Sequence, residues 1–231
     1  MDGPGRAKTL VVIPAYNEAE NIAEVVTRAT RHAPVLVVND GSKDRTGEIA
    51  AALPNTAVIN HARNTHIPGA ILDGFKYALA HGYDYAITMD AGMSHDPQLI
   101  ASLIGQPDAD LILSYRPQPK NVPLYRRVLS RTGAVMVNAA IGARYKDVTS
   151  GYRRYSRRAM EAVVRAPMVC KSFDFHLEAL AVVHHAGLTV REFPITYVFS
   201  NSSLTRKVVG QAFRTWLRLV MGLHRKSTAR G

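Results

Sequence analysis

The first half of the chain alternates between short β-branched segments and amphipathic segments, and this alternation constrains the fold more than any other feature of the sequence. Buried strands are predicted where Val, Ile and Leu follow one another with few polar residues. These strands fall at residues 10–13, 35–38, 56–60, 85–89 and 111–113, and the helices at residues 18–31, 44–53, 68–81 and 97–104. Strands separated by helices pair in parallel, and the helices cover both faces of the sheet. The sequence therefore predicts an α/β domain with a mostly parallel sheet.

The second half of the chain is less regular. Helices are predicted over residues 125–140, 157–164 and 173–186, and strands over residues 152–155 and 189–195. No internal repeat or low-complexity linker interrupts this pattern. We therefore expect a single α/β domain over residues 1–205, followed by a basic amphipathic helix and tail over residues 206–231.

The charge of the chain limits its partners. The formal net charge is +11, which suits nucleic acid, an anionic membrane surface or a polyphosphate substrate, and also serves solubility alone. No nucleic-acid recognition motif is present, so nucleic acid is not an expected partner. The single cysteine, Cys170, excludes an internal disulfide framework and a cysteine-based zinc site. Neither a signal-peptide pattern nor an apolar run of about 18 residues occurs, so we expect a cytoplasmic protein, either free or peripheral on the cytoplasmic membrane face.

Polar side chains follow the predicted strands at the point where each strand ends. Residues 14–18 follow the first strand, residues 39–44 the second, residues 90–96 the fourth, and Arg116 the fifth. Ligands of open parallel sheets bind at the carboxyl ends of the strands. Carboxylates there can accept hydrogen bonds from a nucleobase or hold a divalent cation, and arginine can bind phosphate. Taken singly, each acidic residue is equally expected in a helix cap or a turn.

Taken together and in order, these motifs resemble the family 2 glycosyltransferases with the GT-A fold, a Rossmann-like sheet flanked by helices. The resemblance begins with Val-Ile-Pro-Ala-Tyr-Asn-Glu at residues 12–18 and Asn-Asp-Gly-Ser-Lys-Asp at residues 39–44. It continues with Asp90 and Ser-His-Asp-Pro at residues 94–97. Thr-Ser-Gly-Tyr-Arg at residues 149–153 is similar to the Thr-Ser-Gly-Phe-Arg block of the dolichyl-phosphate mannose synthase branch. The similarity extends over about residues 9–205.

The resemblance implies roles for individual residues. The nucleobase and ribose pocket would contain Pro14, Tyr16 and Glu18, with Asp40 at the base edge. The diphosphate would meet Asp90, directly or through a metal. Catalytic roles are implied for Asp90, Arg116, Arg153 and Glu178. Phosphate groups would be bound by Arg116 and by Arg126 or Arg127, and the wall of the site near the acceptor would be formed by Ser150, Gly151 and Arg153. Glu178 lies on the predicted helix over residues 173–186, at a position where the family often carries an acidic residue. Asp174 lies one helical turn earlier on the same face.

The sequence departs from the family pattern at three positions. Gly92 replaces the second carboxylate of the usual Asp-x-Asp motif, so a metal would keep Asp90 alone, with diphosphate and water completing its shell. Mg²⁺ or Mn²⁺ is therefore the expected cofactor, with one carboxylate ligand fewer than the family pattern provides. Asn39 stands where an aspartate is common, and His66 stands where glycine is usual. We expect His66 to be a local filler or a contact of the donor sugar.

Two acceptor classes fit these features. A lipid phosphate is already an anion and needs no general base, and the basic second half of the chain favours it. A saccharide or protein hydroxyl would require a base, for which Asp174 and Glu178 are the candidates. Gly92 leaves a third interpretation, a non-catalytic nucleotide-sugar binder. The tail, with Trp216 and Phe213 among its apolar residues, has the pattern of a helix that lies on a membrane surface or packs on protein.

Overall fold

A computed structural model describes residues 7–117, 134–135, 137–172 and 174–195 of the chain. The predicted helix over residues 125–140 lies largely outside this part, although residues 134–135 and 137–140 are helical. Arg126, Arg127 and the predicted amphipathic helix after residue 205 also lie outside the described residues. None of the described helices is both long and apolar enough to cross a membrane.

Seven strands form one sheet in the order β3-β2-β1-β4-β6-β5-β7. The strands are β1 Thr9–Ala15, β2 Val35–Asn39, β3 Thr56–Asn60, β4 Tyr85–Thr88, β5 Leu111–Tyr115, β6 Arg153–Ser156 and β7 Val190–Pro194. β1 pairs in parallel with β2 and β4, β2 with β3, and β5 with β7. The prediction of a mostly parallel α/β sheet is confirmed.

In the part of the chain that the structure describes, six complete helices lie on the two faces of the sheet. They are α1 Ile22–Ala29, α2 Thr46–Ala51, α3 His66–Ala80, α4 Leu99–Ile104, α5 Arg157–Arg165 and α6 Phe175–His185. Alternate residues of β1 point to opposite faces, as the period of a strand requires. Leu10 and Val12 pack with α3, α5 and α6, whereas Val11 and Ile13 pack with α1, α2 and α4. Both faces are therefore buried, which explains the continuous apolar strands.

The sixth strand runs against its neighbours, and the sequence did not predict this direction. β6 is antiparallel to both β4 and β5, with Thr88 opposite Arg153 in the register. An antiparallel strand starts at the edge where its parallel-running neighbours end. Ser150 and Gly151, which precede β6, are therefore brought to the carboxyl end of β4, where Asp90 follows. This reversal joins a late motif to an early one.

Candidate active site

The loops after β1 and β2 form one hydrogen-bonded platform. The Asn17 amide donates to Ser42 Oγ at 3.0 Å, and the Lys43 amide donates to Asn17 Oδ1 at 2.8 Å. The Glu18 amide donates to Thr46 Oγ1 at 2.8 Å. Asn17 adopts a φ of 55°, which asparagine tolerates better than most residues. The two motifs predicted to bind nucleotide are thus held together.

The remaining residues predicted for the nucleotide pocket lie on or beside this platform. Tyr16 is exposed, and Pro14 and Glu18 are half-buried. Glu18 Oε2 accepts a hydrogen bond from Asn21 Nδ2 at 3.0 Å. The Tyr16 ring is therefore the member of this set most available to lie against a base or ribose.

Asp40 lies at the end of β2 and is nearly buried. Its Oδ1 accepts hydrogen bonds from the Thr65 amide and from Thr65 Oγ1, both at 2.7 Å. The same oxygen lies 2.7 Å from His61 Nδ1. Beside it, Gly41 has a φ of 72°, and a Cβ there would meet the Arg63 carbonyl carbon at 2.7 Å. The loop after β3 is therefore packed onto the loop after β2.

Asp90 follows β4, on the other side of β1 from Asp40. Because β2 and β4 both adjoin β1, the ends of the two strands are about 10 Å apart. The Asp90 side chain is half-exposed. Its amide donates to His95 Nδ1 at 3.2 Å, which makes that nitrogen an acceptor. His95 is buried and stacks on Tyr152 with ring centroids 4.9 Å apart. A rigid, neutral ring thus holds the start of the Asp90 loop.

Gly151 and His176 complete the surroundings of Asp90. A Cβ on Gly151 would lie 2.8 Å from His176 Nε2 and 3.5 Å from Asp90 Oδ1. The carbonyl of Gly151 accepts a 2.6 Å hydrogen bond from Thr88 Oγ1. Only glycine fits between these groups without displacing one of them. His176 was not singled out from the sequence, because a histidine near the start of a helix carries no distinctive spacing.

Gly92 lies in open space. A Cβ added there would meet no atom within 4 Å, and its φ is not in the left-handed region. Among the described residues, no group of three His, Cys, Asp or Glu side chains is arranged to hold a metal ion. The protein side of a cation site in this part of the chain therefore consists of the Asp90 carboxylate, and a bound diphosphate would have to supply further ligands.

Arg116, predicted to bind phosphate, is paired with Asp147. Its Nε and one terminal nitrogen contact the two carboxylate oxygens of Asp147 at 2.6 and 3.1 Å, and the same terminal nitrogen donates to Thr149 Oγ1 at 2.7 Å. Burial raises the pKa of Asp147, but the Arg116 charge and the hydrogen bonds from Arg116 and Thr149 outweigh it, so the pKa lies below its ordinary value. Asp147 thus stays ionised and orients the guanidinium.

Arg153 differs most from its predicted role. Its side chain is fully buried, and its guanidinium donates to the carbonyl oxygens of Val148, Ser150 and His176 at 2.8, 2.7 and 2.7 Å. These carbonyls belong to the segment that precedes β6 and to α6. Arg153 therefore holds the backbone of the segment that was predicted to lie near the acceptor. Its buried, fully engaged guanidinium does not match a direct catalytic contact.

Glu178 and Asp174 also have internal partners. Glu178 is fully buried and accepts hydrogen bonds from the amides of Val169 and Cys170, the shortest at 2.8 Å. Asp174 is nearly buried and accepts from the Ser172 amide at 2.7 Å. Both carboxylates thus fix the turn that leads into α6. Their geometry does not match the expectation that either acts as a general base.

His66 adopts a φ of 63°, which explains why glycine is usual at this position of the family. The residue begins α3 and is exposed, and its amide donates to Asn64 Oδ1 at 2.9 Å. Asn39, the other departure, donates from Nδ2 to Asn60 Oδ1 at 2.8 Å. An aspartate could not make that donation, so the amide at position 39 is matched to Asn60.

We expect the stability of the protein to fall in mildly acidic solution. Burial lowers the pKa of His95 and lowers that of His176 well below the ordinary value of 6.5. The folded state keeps both rings neutral while the unfolded chain protonates them. Their contribution to stability is therefore complete above pH 6.5 and is lost progressively as the pH falls below it.

Urea unfolding at pH 7.5 and 5.5 measures this loss (about two pH units span the window). His176→Gln removes one titrating ring and should flatten the dependence. His32→Gln, at an exposed position, is the matched control and should leave it unchanged. Equal slopes in wild type and His176→Gln would contradict the prediction.

The chain belongs to glycosyl transferase family 2, whose model matches residues 10–164. It is 35% identical to the polyprenol monophosphomannose synthase of Mycolicibacterium smegmatis over 82% of this chain and 77% of that protein. It is 30% identical to the undecaprenyl-phosphate mannosyltransferase of Micrococcus luteus over 89% of this chain and 90% of that protein. The protein is therefore a glycosyltransferase, and the resemblance found in the sequence is confirmed.

Solved structures confirm the GT-A fold. The glucosyl-3-phosphoglycerate synthase of Mycobacterium tuberculosis with bound UDP superimposes with a TM-score of 0.71 at 18% identity, covering 94% of this chain and 81% of that one. Other crystals of that enzyme contain Mn²⁺ or Mg²⁺ together with UDP. A divalent metal and a nucleotide thus occur together in structural relatives of this fold.

Proposed function

We propose that the protein transfers a hexose, with inversion, from a nucleotide-diphosphate sugar of the GDP-mannose or UDP-glucose type to a polyprenyl phosphate. A phosphate oxygen of the lipid forms the new bond to the anomeric carbon as the bond to the donor diphosphate breaks. The choice of a lipid phosphate as acceptor rests on the hydrogen bonds that Glu178 and Asp174 accept. Both carboxylates are committed to backbone amides, so the residues predicted as bases for a hydroxyl acceptor are occupied.

The proposed donor site follows the edge of the sheet from β2 to β4. Tyr16 and Glu18 flank the base and ribose, Asp40 accepts a hydrogen bond from the base, and Asp90 lies at the diphosphate. The names of the two relatives, which specify polyprenol and undecaprenyl phosphate chemistry, support the acceptor. Arg116 follows β5 and is held by its ion pair with Asp147, and in the proposed site it contributes positive charge near phosphate.

Mg²⁺ or Mn²⁺ would be held by Asp90 together with the donor diphosphate. Such a cation offsets the charge that develops on the leaving nucleoside diphosphate. Because Gly92 gives no second carboxylate, the cation would depend on the diphosphate for more of its ligands than in a site with two aspartates.

Gly92→Asp is expected to strengthen metal binding. The position is open, so the new carboxylate fits without displacing a neighbour and adds a second anionic ligand beside Asp90. Mn²⁺ affinity in the presence of GDP or UDP should rise about tenfold, as followed by the loss of the free Mn²⁺ signal in electron paramagnetic resonance.

Met93→Asp is the matched control. Met93 is exposed, and the substitution adds the same charge one residue away from position 92. Equal gains in Met93→Asp and Gly92→Asp would show a general charge effect and contradict a second ligand at position 92.

Replacing the buried carboxylates should lower the melting temperature of the protein clearly but lower kcat only slightly. In Glu178→Gln and Asp174→Asn we expect kcat with polyprenyl phosphate to stay within about tenfold of wild type, whereas loss of a general base lowers it by about 10²- to 10⁴-fold. Thermal unfolding and kcat are measured on the same preparations. A loss of kcat of about 10²-fold or more with an unchanged melting temperature would support a general base at that residue, and therefore a hydroxyl acceptor.

The proposed function is tested by incubating the protein with radiolabelled GDP-mannose or UDP-glucose and polyprenyl phosphate. Label that extracts with the lipid, and that mild acid releases as free sugar, supports the proposal. Donor binding without transfer to lipid phosphate or to any saccharide would instead support a non-catalytic binder. Flotation with vesicles that contain anionic lipid tests the membrane-surface role proposed for residues 206–231.

A further inference from the structure

Two side chains, one just after β3 and one at the start of α3, contact Asp40. His61 immediately follows β3, and its amide donates to the Asn39 carbonyl at 2.9 Å, which fixes its backbone beside Asp40. Thr65 lies at the start of α3. Both residues reach the same carboxylate oxygen, Oδ1 of Asp40.

The two carboxylate oxygens of Asp40 differ in the number of hydrogen bonds that they accept. Oδ1 lies 2.7 Å from each of three groups: the Thr65 amide, Thr65 Oγ1 and His61 Nδ1. No described residue makes a hydrogen bond to Oδ2. Because an ionised carboxylate only accepts hydrogen bonds, Nδ1 of His61 must carry the hydrogen it shares with Oδ1. One oxygen of Asp40 is therefore filled from inside the protein, and the other is left for an external donor.

The far side of the His61 ring faces a second carboxylate. Nε2 lies 3.2 Å from Asp73 Oδ2, which is an ion-pair distance, although Nε2 is not in hydrogen-bond geometry. The other oxygen of Asp73 contacts Lys76 Nζ at 2.8 Å. The His61 side chain is only 10% exposed, so it can hardly turn away from Asp40.

A glycine in α3 makes room for this arrangement. A Cβ on Gly69 would overlap Thr65 Oγ1 and lie 2.5 Å from Thr65 Cβ. Glycine in a helix is less favourable than alanine by about 1 kcal/mol, so the absence of a side chain here is explained by what it permits. It lets Thr65 fold back over the helix to reach Asp40.

We propose that His61 and Thr65 are positioning residues for nucleotide recognition, which fill Oδ1 of Asp40 and leave Oδ2 as the one oxygen that meets the nucleobase. The inference rests on the proposed function, in which Asp40 contacts the base. With one oxygen available, Asp40 accepts a single N–H from the edge of the base and cannot form the two parallel bonds that a free carboxylate offers to guanine.

The test compares ligands with and without a base. Calorimetry is performed with GDP, UDP, CDP and inorganic pyrophosphate, all with Mg²⁺, on wild type and on His61→Ala, Thr65→Val and Gly69→Ala. We expect each variant to bind its best nucleoside diphosphate about tenfold more weakly and to bind pyrophosphate as wild type does. His61→Asn keeps a donor near the Nδ1 position and should recover most of the affinity. His32→Gln is the control for loss of an exposed histidine.

Each outcome decides the inference. Unchanged nucleotide affinity in the variants would overturn it while leaving the proposed function intact. Equal losses for pyrophosphate and nucleotide would show a general structural role and would also overturn it. If His61→Ala fails to fold, Thr65→Val and Gly69→Ala carry the same comparison. A wild type that binds none of the three nucleotides, whatever its variants do, would overturn the proposed function and this inference together.

Discussion

Asp90→Asn is expected to lower kcat/KM for sugar transfer by about 10³-fold while leaving the protein folded. The Asp90 side chain is half-exposed at the end of β4, and its ion-pair contact with His95 is long at 3.6 Å, so its replacement should not unfold the domain. It is also the one carboxylate of the usual motif that this chain retains. No second carboxylate at position 92 can replace its charge beside the diphosphate.

The measurement is lipid-extractable label under initial-rate conditions, with thermal unfolding of the same samples. Asp108→Asn is the matched control, since Asp108 is exposed and precedes β5 at the opposite edge of the sheet. A rate for Asp90→Asn within about threefold of wild type would remove Asp90 from the active site. Weaker Mn²⁺ binding in Asp90→Asn with GDP or UDP present would connect the loss to the cation.

Arg153→Ala is expected to destabilise the fold by about 3–5 kcal/mol and to abolish activity as a consequence. The guanidinium is fully buried and satisfies three backbone carbonyls, from Val148, Ser150 and His176. Its removal leaves those acceptors unpaired and opens a cavity beneath Gly151. A substrate contact, by contrast, would lower the rate without a comparable loss of stability.

Urea unfolding separates the two roles of Arg153. Arg153→Lys keeps the charge but not the planar fork, so it should recover only part of the stability. Arg158→Ala is the control, because Arg158 is largely exposed on α5 and its removal should change stability little. An Arg153→Ala protein with wild-type stability and no activity would instead support the catalytic role that the family resemblance implied.

Much of the fold could be predicted because the signal is local. Apolar strands of the right length alternate with helical spacing, and the β3 bounds of residues 56–60 agree with the structure. Helix starts were less well predicted. α1 begins at Ile22 rather than at residue 18, and Asn17 before it has a φ of 55°, outside the helical region. The amides of residues 17–19 bind side chains about 25 positions away, which no local pattern contains.

The candidate site divides in the same way. The sequence by itself determined the family, the strand ends that carry polar residues, and the loss of a carboxylate at Gly92, because these depend on residue type and order. The tertiary structure decided which polar groups remain available. It placed Gly151 beside Asp90 by reversing β6, and it committed Arg153, Glu178 and one oxygen of Asp40 to internal hydrogen bonds.

The physical reason is that a buried polar group must find a partner, and the partner is chosen by the packing of distant segments. A motif specifies that a carboxylate is present at a strand end. Only the folded chain specifies whether the carboxylate stays half-exposed, as that of Asp90 does, or accepts hydrogen bonds from the amides of the neighbouring turn, as that of Glu178 does.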